Sequence, residues 1–470
     1  MTTLLGYACI LGYIFLMIFA LGPVIQRLSD LEVSRKAIHI SLFAVWLLID
    51  LFFRDSIHQI IVPVLFILFN SLSRRFRIFK SVEREQDDHP GTVYFAVAVT
   101  LILTLAYFFP SFYYPSGVAV FCLTFGDGFA ALVGHLVPSR KIYENKTAAG
   151  FLAGFAASAL SLLVFCRVYS VPLSLWQLLS VALVGAVFEL TGRGLDNFTI
   201  VFSTLLLSWL YLFADQGSLL PSVAVALAVF ALVFFSRAIT YYGALLALCM
   251  VVIFSFCGGG YGLGFLLGSY FTIFLISLFK KKVLRLPGKE RARDLRQIAI
   301  NGGLGTLLML LYGLGCGFWC LEAAVVAVGG CFVDSLSSDL GILSPRPPYD
   351  FFRRQRVEPG LSGGMSLLGT LAAALGAGAI ALSMGLSFPI GPGRVLGIGG
   401  LIFAQTLLDT ALGSLIQAKY RCPDCGTLSE HRIHCGREGR LVSGLGRVDN
   451  NMVNLLSSLA ITLAAILVLK

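Results

Sequence analysis

An aspartate stands inside an apolar run, LTFGDGFAALVG at residues 123–134, and a short basic loop with Arg140, Lys141 and Lys146 follows it. Held at membrane depth beside cations, a carboxylate such as Asp127 is a candidate for metal and phosphate chemistry at a bilayer surface. The flanking Gly126 and Gly128 let a neighbouring backbone or a ligand come close. A second acid, Glu189, ends another apolar run, and the turn after it carries Arg193, Asp196 and Asn197. Upstream, Arg35, Lys36 and His39 lie at the mouth of a span, with Arg35 and His39 one turn apart on a helical face that would meet headgroups. The loop at 73–91 adds Asp87, Asp88 and His89, a run suited to a hydrated Mg²⁺.

The second half repeats these features in the same order. GGCFVDSLSSDLGIL, residues 329–343, carries Asp334 and Asp339 where the first half has Asp127. A basic loop and a small-residue helix, MSLLGTLAAALGAGAIAL, stand in the place of KTAAGFLAGFAASAL. Asp409 takes the place of Glu189, and GLGRVDNNMVNLLSSL, with Arg447, Asp449 and Asn450, echoes GRGLDNFTIVFSTL. This reads as a parallel repeat, because an even number of spans per unit keeps both units in one orientation.

What must position these residues is a set of membrane helices. At 57% hydrophobic and 13% charged, a chain of 470 residues has too much apolar surface for any soluble core to hide. Apolar runs long enough to cross about 30 Å of hydrocarbon at about 1.5 Å per residue recur along it. The expectation is an all-α, polytopic membrane protein of about sixteen spans in two units of about eight, residues 1–236 and 237–470. Leu4 to Leu21 lacks a basic leader and a small-residue cleavage site, so it reads as a span.

The net charge of +10 does not call for nucleic acid, because the bases are scattered through short loops. With odd-numbered connections cytoplasmic, all but Arg54, Arg167, Arg394 and Lys470 of the 35 Lys and Arg fall inside. Both termini are then outside, and the polar chemistry faces the cytoplasm of the cell membrane. One insertion in the second half, within 418–440, has a different character. Cys422 and Cys425 have the spacing of a tetrahedral metal clip, which Cys435 and either His431 or His434 would complete as a structural Zn²⁺ site.

RKAIH at 35–39, HPGTVYF at 89–95, FGDGFAALVG at 125–134, NKTAAGFLAGF at 145–155 and GLDN at 194–197 together resemble the CTP-dependent lipid kinases, the family of dolichol, phytol and diacylglycerol kinases. The family usually shows K-S-x-E-G where this chain has Lys146-Thr147-Ala148-Ala149-Gly150, so a Glu is lost and the hydroxyl kept. NGGLGTLL at 301–308, VDSLSSDLG at 333–341, SGGMSLLGTLAA at 362–373, LLDTALGSLIQAKYRCPDCG at 407–426 and VDNNMVNLLSS at 448–458 resemble a second membrane family, whose plant relative is a phytyl-phosphate kinase. Asp339 replaces the usual Glu of that family.

The resemblances imply a bifunctional phosphotransferase fused from two kinases, which converts an isoprenoid alcohol such as phytol, geranylgeraniol or a polyprenol to its monophosphate and then its diphosphate. They imply CTP, or ATP, as donor and Mg²⁺ as cofactor. Asp127, Glu189, Asp196, Asp334, Asp339 and Asp409 would be catalytic, with Mg²⁺ on Asp127 and Asp196. Nucleotide and phosphate would meet Arg35, Lys36, His39, Lys146, Thr147, Arg193 and Asn197 in one half, and Gly363, Gly364, Ser366, Arg447, Asp449 and Asn450 in the other. Two alternatives remain at this level. One is a transporter or flippase of isoprenoid phosphates with the acids as coupling-ion sites, and the other a dolichol or diacylglycerol kinase with a scaffold second half.

Overall fold

The computed structural model describes residues 2–76, 91–192, 194–213, 239–282 and 293–470. The described residues are mostly helical, with short strands between helices, and the chain divides into two compact units, Met1–Gln216 and Gly217–Lys470. Among the described residues, twelve helices are long and apolar enough to cross a membrane, in place of about sixteen expected spans. The difference has identifiable sources. The expected span at 219–235 and the Asp87-Asp88-His89 run lie outside the described residues. Leu175–Thr191 is apolar but only 17 residues long. The helix Tyr241–Lys282 reverses at Gly259, whose φ of 58° only glycine adopts readily. Phe254 and Phe265 have ring centroids 6.4 Å apart across that reversal, where a straight helix would separate them by about 16 Å along its axis.

Among its described residues the first unit has eight helices: α1 (Thr3–Leu28), α2 (Leu31–Phe53), α3 (His58–Phe76), α4 (Gly91–Phe108), α5 (Pro110–Leu136), α6 (Ala148–Val168), α7 (Leu175–Thr191) and α8 (Asp196–Phe213). Helix α5 is the most enclosed, packed among α2, α6, α7 and α8. In lipid the apolar effect does not drive helices together, so close packing of small residues and polar contacts must do so. Gly126 and Ala130 on α5 face Gly150, Gly154 and Ser158 on α6: a Cβ added to Gly154 would lie 2.8 Å from both Ala130 Cβ and Gly126 O. The glycines beside Asp127 therefore serve helix contact, since a Cβ on Gly126 would meet Ser158 Oγ at 2.5 Å and one on Gly128 would meet Ile40 at 2.3 Å. Trp46, packed against Phe165 with centroids 5.4 Å apart, fills the other end of the unit.

Between α5 and α6 runs a hairpin, β1 (Lys141–Tyr143) antiparallel to β2 (Lys146–Thr147), which delivers Thr147 as the N-cap of α6. Its hydroxyl accepts from Gly150 N at 3.2 Å.

The second unit contains α9 (Tyr241–Lys282), α10 (residues 295–313), α11 (Phe318–Gly341), α12 (Leu367–Ser387), α13 (Pro392–Leu415) and α14 (Asn450–Leu469). Helix α11 is central and packs against all the others. It repeats the local design of α5. The hairpin of β3 (Tyr349–Asp350) and β4 (Gln355–Arg356) follows it, Ser366 N-caps α12 by accepting from Gly369 N at 3.2 Å, and Gly369 approaches Gly341 as Gly150 approaches Gly134. At the far end of α11, fully buried Glu322 takes a bidentate pair from Arg394, with Nη2 to Oε2 at 2.6 Å. A small β-subdomain between α13 and α14 comprises β5 (Lys419–Arg421), β6 (Leu428–Ser429), β7 (Ile433–His434), β8 (Arg437–Glu438) and β9 (Arg440–Ser443). Strand β5 pairs with both β6 and β9, and β7 with β8.

Candidate functional site

In the first unit, helix α5 widens into a π-type turn over Cys122–Asp127 just before its acid, a distortion that rotates the following side chain off the regular helical spacing. The Asp127 carboxylate points at α2, where Lys36 Nζ donates to Oδ2 at 2.8 Å and His39 Nε2 lies 3.2 Å from the same oxygen. Lys36 and His39 are three residues apart and so share one face of α2. His39 Nε2 also lies 3.2 Å from Leu123 O. It therefore packs inside the unit against α5.

A second group sits beside the first. Lys146, at the foot of the β1–β2 hairpin, contacts Glu189 at the end of α7 and lies 3.7 Å from Asp196 Oδ2 at the start of α8. Burial works against the Lys146 charge, but Glu189, Asp127 and Asp196 outweigh it and hold the ammonium above the usual lysine range. Asn197 donates to Gly91 O at 3.1 Å and ties α8 to the start of α4. Arg35 is paired with Glu32 at 2.6 Å. Arg193 lies outside the described residues.

These side chains line one cavity of about 670 Å³. Lys36, His39, Asp127, Lys146, Glu189 and Asp196 supply its polar wall. Ile14, Ile18, Leu42, Val45, Phe66 and Val99, from α1 to α4, supply an apolar one. The carboxylates are hard oxygen donors of the kind Mg²⁺ takes and the lysines are cations for phosphate, while the apolar wall suits a hydrocarbon chain.

The acids of the second unit are held differently. Asp409 accepts from Ser457 Oγ at 2.9 Å, and Asp334 and Asp409 both lie within electrostatic reach of Cys331. Asp339 pairs with Lys280 at 2.7 Å. Asp449 N-caps α14, accepting from Met452 N at 2.8 Å, and lies 3.2 Å from Arg296; Asn450 is the first residue of that helix, and Arg447 is exposed before it.

Gly363 and Gly364 serve packing. Gly363 has φ of 91°, and a Cβ there would lie 2.6 Å from Ser414 Cα; one on Gly364 would meet Val357 at 2.5 Å. Under this turn, buried Asp350 accepts from Ser414 Oγ and from Phe352 N and Arg353 N, each at 3.0 Å or less. Lys419 Nζ donates to Ser362 O at 2.7 Å, and burial with nearby Arg353 lowers its pKa. Asp350, Lys419, Glu430 and Glu322 escaped the sequence reading because each meets a partner remote in the chain. Their partners lie 64, 57, 68 and 72 residues away.

Helical content, span number and buried acids define an integral, multi-pass membrane protein. Residues 224–462 match the family described as integral membrane protein DUF92, and the chain belongs to that family. An uncharacterized membrane protein of Methanocaldococcus jannaschii is 32% identical over 172 residues, covering 36% of this chain and 70% of the relative. A second uncharacterized protein of the same organism is 27% identical over 173 residues, 34% of this chain and 83% of that relative. No solved structure matches.

Proposed function

We propose that the chain is a bifunctional lipid kinase of the cell membrane. Its first unit phosphorylates an isoprenoid alcohol, and its second phosphorylates the resulting monophosphate to the diphosphate, with CTP or ATP as donor. The observation that carries this reading is the first unit's cavity, in which carboxylates and lysines meet an apolar wall. A ligand that is polar at one end and hydrocarbon at the other matches it. The resemblance of both halves to lipid-kinase motifs supports that reaction class.

Phosphoryl transfer asks a protein mainly for positioning and for cations around the transferring group. In the first unit the lipid hydroxyl lies against Glu189, which accepts its proton as the oxygen bonds to the terminal phosphorus. The bridging P–O bond breaks, and the nucleoside diphosphate leaves with the electron pair. Lys146 exchanges its contact with Glu189 for phosphate oxygens as substrate enters, and Lys36 holds Asp127 in place. Asp127 and Asp196 are the oxygen donors that would hold Mg²⁺, which supplies neutralisation of the nucleotide's phosphate charge. In the second unit the acceptor is an ionised phosphate monoester and needs no strong base. Asp334, Asp339, Asp409 and Asp449 are its carboxylates and Arg447 its phosphate ligand.

The test is incubation of purified protein with terminally labelled CTP or ATP and farnesol, geranylgeraniol, phytol or diacylglycerol, with products resolved as mono- and diphosphates. Labelled mono- and diphosphate of a prenol are expected. Absence of label in every acceptor with both nucleotides, together with nucleotide-independent lipid movement in vesicles, would point to a transporter instead.

A further inference from the structure

In the β-subdomain between α13 and α14, four soft ligand atoms meet. The Sγ atoms of Cys422, Cys425 and Cys435 and a ring nitrogen of His434 all lie within 4.8 Å of one another. We propose that these four residues bind one Zn²⁺ in a closed structural site, and that the metal anchors the subdomain onto the glycine turn at 360–364.

The three edges among Cys425, His434 and Cys435 are those of a coordination tetrahedron, with Cys422 Sγ within 4.8 Å of all three. With Zn–S of about 2.3 Å and Zn–N of about 2.0 Å, tetrahedral edges are about 3.8 Å for S···S and about 3.5 Å for S···N. Cys425 and Cys435 sulfurs are 3.9 Å apart, and His434 Nδ1 is 3.4 Å from Cys425 Sγ and 3.3 Å from Cys435 Sγ. A disulfide would need about 2.05 Å, and all eleven cysteines are free thiols.

The backbone is shaped for this set on both sides. In Cys422-Pro423-Asp424-Cys425-Gly426, Gly426 N donates to Cys422 O at 3.0 Å and Gly426 adopts φ of 71°, so the chain turns sharply and both thiols face one point. The β7–β8 hairpin turns through Cys435 and Gly436, with φ of 53° and 76°. Successive strand residues point to opposite sides; the left-handed conformation of Cys435 returns its thiol to the side of His434. A non-glycine residue in that region is strained by about 1 kcal/mol or more, which a coordinate bond readily offsets.

Three thiols, which give up their protons on binding, and one imidazole select a borderline-soft ion and leave no open position. The role is therefore structural. Strands of two to four residues do not hold themselves together, yet they carry specific contacts. Glu430, inside the segment bracketed by the ligands, accepts from Ser362 N at 2.6 Å, while Lys419, at the base of β5, donates to Ser362 O at 2.7 Å. Both backbone groups of Ser362 are thus held from the subdomain, and Ser362 begins the turn that leads to the Ser366 cap of α12.

The experiment is metal analysis of the full-length protein, purified with a tag that does not bind metal, alongside Cys425→Ala, Cys435→Ala and the control Cys316→Ala. All three substituted cysteines are exposed. One zinc per chain is expected in the wild type and the control, with loss in the two cluster variants. A wild type without zinc after zinc-supplemented growth, or a Cys425→Ala protein that keeps it, overturns the site. Should the cluster variants fail to fold, wild-type protein stripped by a mercurial and chelator is titrated with Co²⁺. Intense thiolate-to-cobalt charge-transfer absorption is expected, and its absence overturns the proposal. Hydrogen exchange tests the anchoring. Peptides covering 358–366 should exchange faster after zinc removal, and unchanged exchange refutes that part.

Discussion

Replacing Lys36 with Met tests whether the pair at the heart of the first unit is a buried electrostatic element. Lys36 and Asp127 side chains are only 8% and 10% exposed, and their charged atoms are 2.8 Å apart. Losing one partner of a buried pair costs about 3–5 kcal/mol, and an uncompensated Asp at the centre of a membrane helix about 2.5–3.5 kcal/mol. His39, 3.2 Å from the same carboxylate oxygen, remains as a partial partner, which places Lys36→Met near the lower end, at about 3 kcal/mol. Removing both charges together, in Lys36→Met with Asp127→Leu, should recover stability to within about 1 kcal/mol of wild type. Equilibrium unfolding in mixed micelles by SDS titration reads these differences. The double variant should fold and yet transfer no phosphoryl group to a prenol, while still converting added prenyl monophosphate to diphosphate. Wild-type stability in Lys36→Met, or a double variant as unstable as the single one, would refute the reasoning.

Other consequences follow from particular contacts. Glu189→Gln should bind nucleotide and lipid but lower kcat for the prenol by about 10²–10⁴-fold, the range for loss of a general base; a rate within twofold of wild type removes Glu189 from that role. Gly154→Ala should destabilise the first unit by about 1–3 kcal/mol through overpacking against Ala130 and Gly126 O, whereas Gly12→Ala, with open space around it, should not. Asp30 caps α2, accepting from Val33 N at 2.8 Å, and this bond and His135 lower its pKa. Its contribution is therefore present above the ordinary Asp pKa of about 3.9 and disappears as pH falls through the lower folded value. Acid titration of thermal stability should show that component in wild type and not in Asp30→Asn.

The acids and bases placed in apolar runs were legible because charge within a span is costly and therefore informative. Asp127, Lys146, Glu189 and Asp196 all line one cavity. What the sequence could not show is which cation each acid meets. Lys36 reads only as a cation at the mouth of a span, yet the packing of α2 against α5 turns it inward onto Asp127. The glycines around Asp127 read equally as ligand space or helix contact, and only the distances to Ser158 and Ile40 decide for contact. Similarly, C-x2-C spacing announced a clip, but choosing His434 over His431 required the hairpin and the left-handed Cys435. Span number was blurred because a helix of 42 residues and its reversal at one glycine look alike in hydropathy.

If the two units phosphorylate one lipid in succession, the two steps can be separated by one substitution in each unit. Purified Asp127→Asn and Asp409→Asn proteins are supplied with labelled nucleotide and either a prenol or its monophosphate. The account predicts that Asp127→Asn leaves the prenol unlabelled but still converts added monophosphate to diphosphate, and that Asp409→Asn accumulates monophosphate. Wild-type product ratios from both variants would contradict it.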